Sequence, residues 1–512
     1  MTPLLAFLDA VSFRNIVAVL TPLWIYGVGA LLGLVVLTIL WGILFVISPG
    51  TGRRIPRLVM EGPLFPIVGM AAAMALLGIL GSFIVREPGK MLQSLVRLGT
   101  VQPFKHTYEI QQLAKPEPAA DGKPSPVDRI LPVDMLRSEL VSVTLKSDGI
   151  LTVSGRPDTE NPNVFKLQPG EPITWVRNDQ PAVFFPDEQI TALYLQKVDA
   201  SAKTVELDVV RDVAFPQMSA VYFSAIAVIG VVLLYFLQTW ALPTLSAIAL
   251  AAAKSEMNQV YFLIVWLGGW FVLGLSNYIP YNTFGEDIKM LIMCGLDAIK
   301  NVCIVMALWA AASSMADEIE GKTALTLLSK PVRRFEFVLG KVLGIVWLSA
   351  AMMVLLGVFF LFVVSYKTVY DSYESAKQAP EWTACFVQVA NTIPGLFLSF
   401  FEVVIFASLG VALATRLPTV PNFVICMTVY VLGHLTPLIV QSSAGKIETV
   451  QFVARLTAVL LPMLDYFTQH AAIAAGRSVP YDVLFVCLLY CLLYSTMATL
   501  LSLVLFEDRD LS

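Results

Sequence analysis

The stretch Met315 to Lys341, M-A-D-E-I-E-G-K-T-A-L-T-L-L-S-K-P-V-R-R-F-E-F-V-L-G-K, decides how the chain is read. It is charged and helix-prone, and an apolar run stands on each side, Leu291 to Ser314 before it and Phe337 to Val364 after it. About 20 apolar residues at a helical rise cross the hydrocarbon core of a bilayer. Both runs are therefore predicted membrane helices, and the polar stretch is the loop between them. Its cations are Lys322, Lys330, Arg333, Arg334 and Lys341. Short loops rich in Lys and Arg stay in the cytoplasm, which predicts that side for this one. A short helix is predicted inside the loop. Asp317, Glu318 and Glu320 stand at its start, where a helix dipole favours negative charge. Ala324, Leu325, Leu327 and Leu328 give it an apolar face, and Ser329-Lys330-Pro331 ends it, because the residue before a proline is pushed out of the helical region. A proline-capped helix followed by a basic hinge suits a groove on a partner protein.

This order of residues resembles the cytoplasmic loop of ABC-2 type permeases, the membrane subunits of a large class of ABC exporters. The matching residues are Glu318, Glu320, Thr323, Leu327, Leu328, Ser329, Pro331, Arg334, Glu336, Phe337, Gly340 and Lys341. One position departs from the pattern: the glycine set just before the threonine is Lys322 here, with Gly321 one place earlier. The resemblance runs from roughly Thr244 to the C-terminus and leaves the first half of the chain uncovered. It implies that these loop residues couple the permease to a separate ATPase subunit, which holds the ATP and Mg. It also implies that this chain binds no cofactor, and that permeases work as a homodimer or heterodimer.

Composition points the same way. The chain of 512 residues is 57% hydrophobic and 14% charged, with mean hydropathy +0.74. A soluble domain carries about 25% charged residues, so an integral membrane protein is predicted, and the resemblance implies the cell inner (plasma) membrane. A net charge of -4 gives no reason to expect a nucleic-acid partner. Met1 to Thr21 lacks the basic start and clean apolar core of a cleavable signal peptide. The cysteines, Cys294, Cys303, Cys385, Cys426, Cys487 and Cys491, read as small core residues. Cys487 and Cys491 are one helical turn apart, but no His or carboxylate joins them in a metal set.

The rest of the chain divides by hydropathy. Residues 1 to 20 are read as a short interfacial helix, followed by spans at Leu23 to Val46 and Leu64 to Val85. Arg53, Arg54 and Arg57 place the loop between them in the cytoplasm. Residues 86 to 216 become polar, with a proline-rich linker from Lys115 to Pro126. Alternation over V-S-V-T-L-K-S-D-G-I-L-T-V, P-I-T-W-V-R, I-T-A-L-Y-L-Q-K-V and K-T-V-E-L-D-V-V, with turns at Asp148-Gly149 and Pro169-Gly170, predicts a small antiparallel β domain. Counting helices puts it outside the cytoplasm. A third span at Met218 to Trp240 and an amphipathic helix at Ala241 to Gln259 lead to the core spans: Val260 to Ile279, Leu291 to Ser314, Phe337 to Val364, Ile393 to Ala414, Val420 to Val440 and Val483 to Phe506. Val450 to Leu464 is a candidate half-membrane or interfacial helix. The fold class is thus an α-helical polytopic membrane protein of about nine transmembrane helices with a small extracytoplasmic, mainly β domain.

Catalytic chemistry finds little footing. Gly321-Lys322-Thr323 lacks the earlier glycine of a phosphate-binding loop, since Ala316 holds that position, and no strand precedes it. Charges inside spans are costly and functional by default. Asp297 and Lys300 lie three apart and pair on one helix face. Glu402 has no partner in its own helix and either lines a path or meets a helix such as the one carrying Lys300. His434 reads as a satisfied polar residue. Three functions fit: an ATP-driven exporter subunit; an ion-coupled secondary transporter using Asp297, Lys300 and Glu402; or a non-transporting scaffold presenting the β domain. The second lacks the paired broken helices usual in its class.

Overall fold

The computed structural model describes residues 13–114, 127–155, 164–176, 189–199, 202–279, 286–320, 333–375, 378–441, 452 and 461–507. Its contacts divide into two units, one of Met1–Arg86 with Ala220–Ser512, the other of Glu87–Ser219.

In the first unit, α1 (Phe13–Ile47), α2 (Pro49–Glu61) and α3 (Leu64–Gly81) open the chain. The interfacial helix expected over residues 1 to 20 is not separate where it is described: from Phe13 onward those residues belong to the first long span. The reason lies in their burial. Asn15 is enclosed and donates to the Tyr373 hydroxyl at 2.7 Å, so a polar residue of this stretch has an internal partner. The basic loop after Leu23 to Val46 is itself helical, as α2. Trp24 pins α1 to α3, its indole donating to the Gly78 carbonyl and to Ser82 Oγ, both at 3.0 Å.

The second unit is α4 (Pro88–Arg97) followed by eight strands: β1 (Phe104–Glu109), β2 (Arg129–Leu136), β3 (Leu140–Ser147), β4 (Leu151–Ser154), β5 (Val164–Leu167), β6 (Ile173–Val176), β7 (Gln189–Gln196) and β8 (Thr204–Arg211). They form two antiparallel sheets, ordered β1-β8-β3-β6 and β2-β7-β4-β5. Alternate residues of both, among them Val143, Leu145 and Leu207 from one and Leu131, Val153 and Leu193 from the other, close a single apolar core. The Asp148-Gly149 turn is not a hairpin. It carries the chain from one sheet to the other, since β3 pairs with β6 and β8 while β4 pairs with β5 and β7. Asp148 Oδ1 accepts the backbone N–H of Lys203 at 2.8 Å and of Thr204 at 2.9 Å, fastening the corner to the start of β8. Partial burial pushes this carboxyl up, but the two backbone donors outweigh it and hold it below the usual Asp range. The bonds are accordingly present above the ordinary carboxylate pKa and lost as pH falls through the lowered one. Asp148→Ala should cost about 1 kcal/mol, and hydrogen exchange at the Lys203 and Thr204 amides should rise in the variant. Unchanged protection would show that the corner holds without the carboxylate.

The first unit resumes with α5 (Ser219–Ala241), α6 (Pro243–Met257), α7 (Val260–Ser276), α8 (Asp287–Glu320), α9 (Arg334–Glu374), α10 (Trp382–Ala414), α11 (Thr419–Gln441), the short α12 (His470–Ala474) and α13 (Tyr481–Glu507). Helices α8, α9 and α10 form the centre, with Leu308, Met352 and Phe406 among its enclosed residues. Helix α9 runs ten residues past the predicted Val364, and α10 begins at Trp382 and passes through Pro394. The α9 extension, S-Y-K-T-V-Y-D-S-Y-E, is polar and mostly buried inside the unit, so hydropathy alone missed it; the α10 extension mixes apolar and polar residues and is only partly buried. Among the described residues, seven of the nine predicted spans are long and apolar enough to cross a membrane alone, or eight if α6 and α7, bent by 67°, make one span. Helix α11 is apolar but shorter over its described residues. The chain is a multi-pass membrane protein.

Candidate functional site

Two places concentrate the residues singled out from the sequence. The first is the root of the loop between α8 and α9. Thr323, Leu327, Leu328, Ser329 and Pro331 lie outside the described residues, and Glu318 and Glu320 end α8 without described side chains. Of the five remaining residues, Arg334, Glu336, Gly340 and Lys341 meet other helices of the chain. Glu336 sits in the first turn of α9, accepts the Arg333 backbone N–H at 3.1 Å, and accepts the Thr244 hydroxyl of α6 at 3.0 Å. Arg334 donates to the Glu507 carbonyl at the end of α13, at 2.8 Å. Lys341 is buried, donating to Ser314 Oγ at 2.7 Å and to the Ser314 carbonyl at 3.3 Å, which ties α9 to α8. Gly340 serves close approach: a Cβ there would stand 2.8 Å from Ile248 of α6, and one at Gly344, a turn on, 2.6 Å from the Ala249 carbonyl. Helix α6 therefore lies flush on α9.

The elbow from α6 to α7 carries a further bond. Glu256 is enclosed and accepts the Tyr261 hydroxyl at 2.5 Å and the Ser313 hydroxyl at 3.1 Å, joining the elbow to α8. The sequence reads only an amphipathic helix over Ala241 to Gln259, and the bend after it brings Glu256 under α8.

The second place is a polar network inside the bundle. Lys300 of α8 is 3.1 Å from Asp297 on the same helix and 3.5 Å from Glu402 of α10. Lys300 and Glu402 are almost wholly enclosed, while Asp297 is half exposed. The structure thus brings Glu402 to the helix that carries Lys300. His470 of α12 gives its Nδ1 proton to Asp297 at 2.9 Å, because a carboxylate can only accept. Its Nε2 is 3.3 Å from Ser399 Oγ, whose hydroxyl donates when that nitrogen carries no proton. His434 of α11 donates from Nδ1 to the Tyr430 carbonyl at 3.0 Å, and its Nε2 faces Glu402 Oε1 at 3.5 Å. A lone pair on Nε2 would face the carboxylate unfavourably. One proton between them removes that repulsion and brings Lys300 (+1), Asp297 (-1) and Glu402 (-1) to zero formal charge.

Sequence reasoning missed His470. It follows Thr468 and Gln469, beyond the Val450 to Leu464 candidate helix, in a stretch to which the sequence assigns no span. It also missed Lys367, fully buried in the extension of α9. Lys367 Nζ donates to the Asn277 carbonyl at 3.2 Å and lies 3.5 Å from Glu374 and 4.0 Å from Asp287. The carboxylate oxygens of Asp287, Asp371 and Glu374 come within 4.8 Å of one another. The lysine's ammonium is the cation set against them. A signal was available: Lys367 and Asp371 stand one helical turn apart, directly after a run long enough to span.

A family model for ABC-2 family transporter proteins matches residues 31–511. The chain belongs to that family. The match corrects the extent expected from the motif alone: it starts in α1 and takes in the β unit, where the resemblance had begun near Thr244. No curated protein matches the sequence. As an ABC-2 family protein the chain is a membrane permease of ABC transporters, and membership implies association with an ABC ATPase subunit.

Proposed function

We propose that this permease is an exporter subunit, driven by a separate ATPase through the loop between α8 and α9. The observation that carries the reading is the way both loop roots are stitched into the bundle: Lys341 to Ser314, Glu336 to Thr244, and Arg334 to the end of α13. A push on the loop then moves α8, α9, α6 and the end of α13 as one block. Arg333, Arg334 and Glu336 set the base of the lever, and Glu318, Glu320, Thr323, Leu327, Leu328, Ser329 and Pro331 form the contact with the motor. ATP and Mg belong to the ATPase partner. Lys300 lies 20 residues along α8 from Glu320, about 30 Å at 1.5 Å per residue, so the polar network sits at the far end of the lever. Its ion pairs register α8, α10, α11 and α12 against one another while the near ends move. The β unit, residues 86–216, works on the extracytoplasmic side, where it gates the exit or receives cargo. Two permeases, alike or different, complete the transporter.

Orientation is the point most open to a direct check. In a cysteine-free background, Lys330→Cys should react with a membrane-impermeant maleimide only after cells are broken, and Lys146→Cys in β3 should react in intact cells. Reaction of Lys330→Cys from outside would remove the motor-driven reading. A second reading, proton-coupled transport, draws on the His434–Glu402 contact. It predicts transport that survives an inactive ATPase and stops when a protonophore collapses the gradient.

A further inference from the structure

Away from the polar network, a cleft of about 420 Å³ lies between α3, α5, α9 and α10. Its walls are apolar, among them Ile67, Leu234, Val354, Leu361, Ile393 and Phe397. Two polar groups stand together in the lining, Gln238 and Trp347. The Trp347 indole N–H donates to Gln238 Oε1 at 2.8 Å. An indole can only donate, so it dictates which end of the amide faces it. Gln238 Nε2 is left buried, with no protein acceptor in reach among the described residues. Tyr235 packs edge-on against Trp347, ring centroids 5.1 Å apart, and holds the pair in place.

The position of this donor selects an occupant. Gln238 is two residues before Trp240, which is 83% exposed at the end of α5. Exposed tryptophans at span ends mark the depth of lipid head groups. From Trp347 to Leu361 the α9 wall continues for 14 residues, about 21 Å at a helical rise. At the rim Leu234 is 60% and Phe397 50% exposed, so the cleft opens onto the same apolar surface that meets the membrane. The volume is in the usual range for small-molecule sites, whose walls are apolar with a few placed polar groups.

We propose that the cleft holds one acyl chain of a membrane glycerolipid, with an ester carbonyl of that lipid accepting from Gln238 Nε2. The chain fills the space between the N-terminal helices α3 and α5 and the core helices α9 and α10, and it mortars the two sets together. The site depends on the helices being in a bilayer and not on the identity of the cargo or the motor.

The test uses the full chain in nanodiscs of dioleoylphosphatidylcholine, doped with a phosphatidylcholine carrying a photoreactive diazirine near the end of one acyl chain. Crosslinks should gather on Val354, Leu361 and Phe397, above the level at ordinary lipid-facing residues such as Ile264 and Leu500. Gln238→Leu should lower the gathered signal about fivefold, the scale of one neutral hydrogen bond. Ala350→Trp, which fills the cleft, should abolish it. A matching ether-linked probe, which has no ester carbonyl, should label the unaltered protein as weakly as the ester probe labels Gln238→Leu. The variant should not distinguish the two probes. Should Ala350→Trp fail to fold, the ether comparison on the unaltered chain still decides. Even labelling over all exposed spans overturns the site. Equal labelling by ester and ether probes overturns the role of Gln238.

Discussion

Lys300→Met is expected to destabilise the permease by about 3–5 kcal/mol, because removing one partner of a buried ion pair leaves the other charge enclosed and uncompensated. The stranded group is Glu402, which is 1% exposed. Asp297, 47% exposed, reaches solvent and loses less. A fluorescence-monitored melt in detergent should show the drop. The companion variant Lys300→Met with Glu402→Leu should regain most of it, since replacing a whole buried pair by apolar residues is often neutral or better. Glu402→Leu alone should cost less than Lys300→Met, because Lys300 keeps Asp297. Equal losses in the two single variants, with no recovery in the double, would mean that the pair carries no coupling and that packing volume alone matters there.

The second large effect concerns the proposed lever. Glu318→Lys and Glu320→Lys should leave insertion and abundance unchanged while cutting the ATPase retained by a tagged permease roughly tenfold or more. Setting like charges against each other at an interface costs several kcal/mol, and each 1.4 kcal/mol is about a factor of ten. The measurement is the ATPase recovered with the tagged chain, together with substrate transport in vesicles. Normal transport by both variants would sink the coupling role of the loop.

How far the sequence could be read depended on the range of the interactions. The spans were legible because each is long, apolar and self-contained in its backbone hydrogen bonds, as a bilayer requires. Five strands of the β unit, β3, β4, β6, β7 and β8, were visible as alternation. Strand β1, F-K-H-T-Y-E, was not. It is a short edge strand, paired among the described residues with β8, and its Phe104 and Tyr108 are only partly buried against the core, so its alternation is brief and includes no aliphatic residue. The Asp297–Lys300 pair could be drawn on a helical wheel. The sequence left Glu402 either lining a path or meeting the Lys300 helix, and it gave no sign of His470, because those contacts join residues 102 and 173 positions apart.

Local chemistry therefore determined by itself that this is a polytopic membrane protein with a polar β insertion and a charged loop between two long helices. Hydropathy, alternation and proline placement act within one turn or one strand, and each can be scored without knowing what lies opposite. Which polar residues are buried, and against what, was decided only by tertiary packing. Lys341 is locked to Ser314, Glu256 is enclosed under α8, and Gln238 lines a cleft, and none of these partners lies in the residue's own helix. The physical reason is that a side chain's hydrogen-bonding partner is chosen by which helices meet, and that choice rests on the fit of whole faces, such as Gly340 and Gly344 against α6, that no single segment specifies.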